Sequence, residues 1–129
     1  MIVVDASAVL EVLLQTPAAG AVSKRIFESR ETLHAPHLLD VEVAQVLRRY
    51  ARSGTLSPRR GAEAIEDLLD LPVSRYPHDV LLPRIWQLRH NVTAYDAAYI
   101  ALAEALGATL VTRDRALAAA PARARVEVV

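Results

Sequence analysis

The chain has 129 residues, 53% hydrophobic but only 5% aromatic, with 15 basic and 15 acidic residues and no cysteine. That length fits one domain over residues 1–129, with a core filled mainly by Ala, Leu and Val. It has no disulfide framework or thiolate metal site, so a reducing cytoplasm is the expected home. Zero net charge gives no overall pull toward nucleic acid, so any such role rests on local charge placement. The opening run MIVVDASAVL has no basic leader and is not read as a signal peptide. No apolar run approaches the roughly 20 residues that span a bilayer.

Residues 2–4 (IVV) form a short β-branched run, expected as a buried strand. Ser7 is placed to cap a helix through Leu14. Pro17 is expected to open a second helix over residues 17–30. Residues 33–35 read as a strand ended by Pro36. A long helix over 38–52 follows, closed by Ser53-Gly54. Ser57-Pro58 is a cap with a proline in the first turn, so a helix runs to Asp70. Residues 73–76 (VSRY) are a candidate strand. The next helix spans 78–90, with Pro83 tolerable only near its first turn, and Asn91 ends it. Thr93 opens a helix to Leu106, stopped by Gly107. Residues 109–112 (TLVT) are a strand, 114–119 a short helix and 126–129 a last strand. Strands alternate with helices and hairpin signals are absent. This predicts an α/β fold with a mostly parallel sheet covered on both faces.

In such sheets ligands collect beyond the carboxyl ends of the strands. Asp5 follows the first strand and Asp114 follows TLVT, so parallel strands bring both to one edge. Taken singly, Asp5 also reads as a loop acid near a helix start and Asp114 as an ordinary N-cap. Thr93-Ala-Tyr-Asp96 has the form of a capping box. The helix it opens is apolar on every face up to Glu104 and is therefore expected to be buried, which shelters Asp96. Glu42 lies inside the stripe Leu39, Val43, Val46, Leu47 and Tyr50 rather than with the polar face. Its bland alternative is a buried ion pair with an Arg.

Four carboxylates brought together repel unless a cation neutralises them. Oxygen-only ligation suits Mg²⁺, or Mn²⁺, and a water on such an ion is a usable nucleophile for a phosphodiester. Ser7 and Thr112 are near enough in sequence to hydrogen-bond the acids or a substrate phosphate.

The run MIVVDASAVL, the helix PHLLDVEVAQVLRR, the block TAYDAAYIALAEALGATLVTRD and their spacing resemble the PIN domain. Within it, the short form resembles the VapC toxins of VapBC toxin–antitoxin pairs. The similarity runs from Met1 to Val129, with no departure at an acidic position. It implies a PIN-like α/β/α sandwich with a five-stranded parallel sheet. It also implies a Mg²⁺- or Mn²⁺-dependent endoribonuclease acting on RNA, a homodimer, and neutralisation by a cognate VapB-like antitoxin. The family's metal-binding acids map onto Asp5, Glu42, Asp96 and Asp114, and its helper hydroxyls onto Ser7 and Thr112. Asp5 and Asp96 are expected as the most direct ligands. Glu42 and Asp114 complete the site through water or position a second ion.

Fourteen of the 15 basic residues are Arg. Arg48, Arg49, Arg52, Arg59 and Arg60 read as solvated faces paired with Glu63, Glu66 and Asp67. Arg113 and Arg115 flank Asp114 and are the better candidates for RNA phosphates. His34, His37, His78 and His90 read as non-ligands. Trp86 is expected in the core or a dimer contact, as are Tyr95 and Tyr99. One rival is a phosphoryl-transfer enzyme with an Asp nucleophile. Phosphatases of that kind want D-x-D where Asp5-Ala-Ser7 stands, and receiver domains want Lys where Arg113 stands. The other rival is an inactive PIN-like binding module, which would be expected to have lost acids.

Overall fold

A computed structural model describes residues 1–28 and 30–129. Five strands, β1 (Ile2–Val4), β2 (Leu33–Pro36), β3 (Val73–Tyr76), β4 (Thr109–Thr112) and β5 (Val126–Val128), form one sheet in the order β3-β2-β1-β4-β5. All four pairings are parallel. Among the described residues seven α-helices cover it: α1 (Ala6–Leu13), α2 (Ala19–Phe27), α3 (Leu38–Arg52), α4 (Pro58–Asp70), α5 (Leu82–Gln87), α6 (Ala94–Leu106) and α7 (Arg115–Ala118). The expected α/β architecture is therefore present.

Strand alternation sends successive side chains to opposite faces. Ile2, Val4 and Val111 join the cluster under α1–α4, and Val3 and Leu110 join the one under α5–α7. The chain winds from β1 outward through β2 to β3, then crosses back to β4 on the other side of β1. The β1–β4 boundary is thus the point where strand order reverses, the place beyond the carboxyl ends where open α/β sheets hold ligands.

Several boundaries differ from expectation. Asp5, not Ser7, caps α1, accepting the Ala8 N–H at 3.0 Å. Both residue types cap well, and the abrupt end of β1 puts Asp5 at the extended position a cap requires. Pro17 enters a turn closed by Ala19 N–H to Thr16 O, so α2 starts at Ala19. This helix ends at Phe27, short of Arg30, whose φ of +58° is outside helical geometry, while the helix expected at Ser29 lies outside the described residues. Pro36 is the last residue of β2 rather than the one that ends it. It lies past the β1 pairing, where its missing N–H is not needed. The helix expected over 78–90 splits into a 3-10 turn (Asp79–Leu81) and α5, because Pro83 has no N–H to carry the helical ladder back across that point and is tolerated only in the first turn of α5. Residues beyond Gln87 continue as turns. Tyr50, placed with the buried stripe of α3, is 36% exposed, and Leu39, Val43 and Leu47 form the stripe proper.

The first turn of α3 has no side-chain cap of its own, and His78 Nε2 accepts the Leu38 N–H at 3.0 Å instead. Buried His34 has both ring nitrogens engaged, by Thr32 and Tyr76. Among the described residues no helix is long and apolar enough to cross a membrane.

Gly107 ends α6 with φ +62° in the left-handed region, and a Cβ added there would meet nothing within 4 Å. Strain alone then decides the effect of a side chain. Gly107→Ala is expected to cost about 1–2 kcal/mol. In a denaturant titration this lowers the midpoint at unchanged slope, and an unchanged midpoint would refute it.

Candidate active site

Val4 pairs with Val111, so Asp5 and Thr112 leave their strands side by side. Asp5 is only 7% exposed and Thr112 is fully buried. Ser7 Oγ donates to Asp5 Oδ1 at 2.7 Å and Thr112 Oγ1 donates to Oδ2. A hydroxyl has one hydrogen. The 3.3 Å approach between Ser7 and Thr112 therefore has no proton left to share. Each hydroxyl oxygen is instead an acceptor, Ser7 from Arg113 N at 3.0 Å and Thr112 from Asp114 N at 2.9 Å. The helper hydroxyls thus face the Asp5 carboxylate and pin the β4–α7 turn to it.

Asp114 caps α7 by accepting Ala116 N–H at 2.9 Å and stands exposed at the edge. Asp96 is half-buried in the first turn of α6, where Thr93 Oγ1 accepts the Asp96 N–H. Seven consecutive residues of that helix, Ala97 to Ala103, are buried, as its all-apolar surface predicts. Glu42 is half-buried on α3 and accepts from Tyr99 Oη at 2.5 Å. Its partner is a phenol from α6 rather than an arginine. Tyr99, expected in the core or a dimer contact, lies in the core at 2% exposed, but sequence reasoning does not show that its hydroxyl reaches Glu42. The only local signal was its position three after Asp96, on the same helix face.

Three of the acids are held above their usual range, in part by the charge of their neighbours. Burial raises the Asp5 carboxyl above its usual range, against the hydrogen bonds from Thr112, Ser7 and Ala8, and the charge of Asp114 raises it further. Burial raises Glu42 too, against the Tyr99 bond, with Asp96 and Asp5 adding to the rise. Asp96 is raised by burial, then by Asp114 and Asp5. Burial and Glu42 drive the Tyr99 phenol upward, so it stays a donor, while the Ala6 N–H bears on its oxygen in the opposite sense. Among the described residues none of the four acids makes an ion pair. Nor do three or more His or acidic side chains stand close enough to form a closed metal-ligand group. The structure gives an open set of oxygen donors with uncompensated negative charge. Its donor chemistry fits a hard divalent cation.

The arginines sort by surroundings. Arg59 and Arg60 pair with Glu63 and Asp67 on α4, as expected of a solvated face. Arg113 donates to Val129 O and lies 3.9 Å from Glu11. With Arg115 it lines a hollow of about 480 Å³ beside Asp114. A wider groove of about 620 Å³ runs between α1 and α3, bordered by Leu10, Val41, Glu42, Tyr50 and Tyr95. Tyr95 and Trp86 are 62% and 67% exposed, so neither is a core residue.

Fold and site define a doubly wound α/β domain with a carboxylate-lined edge at its switch point. Residues 2–122 match the PIN domain. A VapC ribonuclease of Mycobacterium bovis is 48% identical over 114 residues, covering 88% of this chain and 86% of that protein. Among solved structures, VapBC2 from Rickettsia felis, bound to a DNA fragment from its promoter, superposes with TM-score 0.74 at 14% identity, covering 100% of this chain and 99% of that one. Mycobacterium tuberculosis VapC20, a sarcin–ricin-loop-cleaving toxin, does so with TM-score 0.72 at 20% identity, covering 95% and 96%. The chain belongs to the PIN-domain family, in its VapC group.

The raised Asp5 carboxyl has a consequence for the metal-free protein. Between the ordinary value of 3.8 and the raised native one, Asp5 binds more proton folded than unfolded. The wild-type contribution to stability therefore falls as pH rises through that window. Asn caps as well as Asp but does not titrate. In EDTA, Asp5→Asn is expected to gain stability relative to wild type as pH rises from about 4. Denaturant midpoints of the two chains across pH measure this, and a pH-independent gap would contradict it.

Proposed function

We propose that this chain is a divalent-cation-dependent endoribonuclease, the toxin of a type II toxin–antitoxin pair. The observation that carries this is the convergence of Asp5, Glu42, Asp96 and Asp114 on one sheet edge, where Asp5, Glu42 and Asp96 are each held above the usual carboxylate range partly by the neighbouring acids, and among the described residues none of the four has an ion-pair partner. The ribonuclease names of its relatives support RNA as the substrate. Mg²⁺, with Mn²⁺ as a substitute, would be held most directly by Asp5 and Asp96, with Glu42 and Asp114 completing the site. When bound, such an ion neutralises phosphate charge and makes water a stronger nucleophile.

The chain's own residues do the rest. Ser7 and Thr112 aim both oxygens of Asp5 before any ligand arrives, because their hydrogens are already committed to it. Thr93 and the buried α6 hold Asp96 at the same edge. Arg115, with Arg113 beside it, offers positive charge to phosphates of the strand being cleaved.

The apolar groove between α1 and α3 suits a VapB-like antitoxin segment, with exposed Val41 and Tyr95 to cover and Glu42 at its border to meet a basic side chain. The homodimer belongs to the same reading. Val80, Leu82 and Trp86, exposed on one stretch, are what it would cover.

Cleavage of a structured RNA by the purified chain tests the proposal. Activity should require Mg²⁺ or Mn²⁺ and vanish in EDTA. Asp5→Asn and Asp96→Asn should each lower the rate on the order of a hundredfold or more, as loss of several kcal/mol of charge stabilisation implies. Unchanged cleavage in either variant, or in EDTA, would eliminate this mechanism.

A further inference from the structure

Tyr99 sits three residues after Asp96 on α6, so one helical turn carries both an acid of the site and the phenol that holds another. The phenol belongs to the cluster under α5–α7, whereas the stripe of α3 that flanks Glu42 belongs to the cluster on the opposite face. The 2.5 Å bond from Tyr99 Oη to Glu42 Oε1 therefore passes across the carboxyl edge of the sheet and ties the two layers at the site itself. The phenol ring is buried, so its position is set by packing rather than by solvent. Glu42 is long and only half-buried, and without a partner it would sample several rotamers. Among the described residues its Oε2 has no hydrogen-bond partner.

We propose that Tyr99 is a positioning residue for the divalent-cation site, acting through Glu42. Its hydroxyl fixes Oε1 and leaves Oε2 free for an ion or its water. Because α6 also carries Asp96, the same rigid helix sets the placement of two acids relative to each other. A neutral donor suits this task better than an arginine. It orients the carboxylate without cancelling the negative charge that attracts the cation.

The inference rests on the cation-dependent reading above, and the test separates the two. Mn²⁺ binding is measured by calorimetry for wild type, Tyr99→Phe, Glu42→Gln, the double variant and Asp5→Asn. Phe keeps the buried ring, and melting in EDTA reports on the fold independently of metal. Tyr99→Phe is expected to weaken Mn²⁺ binding about 10- to 100-fold, the usual effect of removing a partner that orients a ligand. Glu42→Gln should weaken it comparably, and the double variant should bind no more weakly than Glu42→Gln alone. Wild-type affinity in Tyr99→Phe would overturn the proposal. So would losses that simply add in the double variant, or a Glu42→Gln chain that binds normally. A wild-type chain that binds no Mn²⁺, or binds it as well with Asn at position 5, would remove the cation reading and this inference with it.

Discussion

The site depends on burying a carboxylate at the end of the central strand. Asp5 follows β1, which has neighbours on both sides, so its side chain leaves the sheet into protein rather than water. Removing such a charge from water costs on the order of several kcal/mol. Hydrogen bonds to an ionised group return about 1.5–3 kcal/mol each. Ser7, Thr112 and the Ala8 N–H supply three, and burial still outweighs them, which is why the carboxyl is held above its usual range. The residual imbalance shows as a raised proton affinity at this edge.

Everything around Asp5 follows from keeping its oxygens aimed. The two hydroxyls that donate to it also accept backbone N–H groups from the β4–α7 turn, so the turn carrying Asp114 is locked to the strand carrying Asp5. On the other flank, His78 completes the first turn of α3 and thereby fixes the helix that presents Glu42. The acids come from four elements, and each is anchored within a residue or two of its carboxylate or by a partner on it. Function here is a property of strand and helix ends, while the interior supplies rigidity.

Much of this was legible in the chain because the decisive features are local. Acids directly after IVV and TLVT mark strand ends, and parallel pairing brings strand ends together. Glu42 was visible because it interrupts an apolar stripe, and Asp96 because the helix behind it has no polar face. What stayed hidden was pairwise and distant. The partner of Glu42 is 57 positions away and sits in an all-apolar helix, where periodicity marks Tyr99 as core and is silent about its hydroxyl. The choice between Asp5 and Ser7 as cap of α1 was also closed to sequence reasoning. Both are good caps two residues apart, and the length of β1 in the sheet decides between them. The split at Pro83 and the exposure of Tyr50 likewise depend on what neighbouring elements cover.

The buried run from Ala97 to Ala103 carries a further consequence, for how this chain can change over time. Four of those seven residues are alanine, buried where α6 meets β1, β2 and β4, and enlarging a buried side chain at such a contact typically costs about 1–3 kcal/mol. A swollen alanine would shift the helix that bears both Asp96 and Tyr99, so damage far from any carboxylate would register at the sheet edge. The target for inactivating mutations is therefore wider than the acids, and drift in this featureless segment is constrained as well.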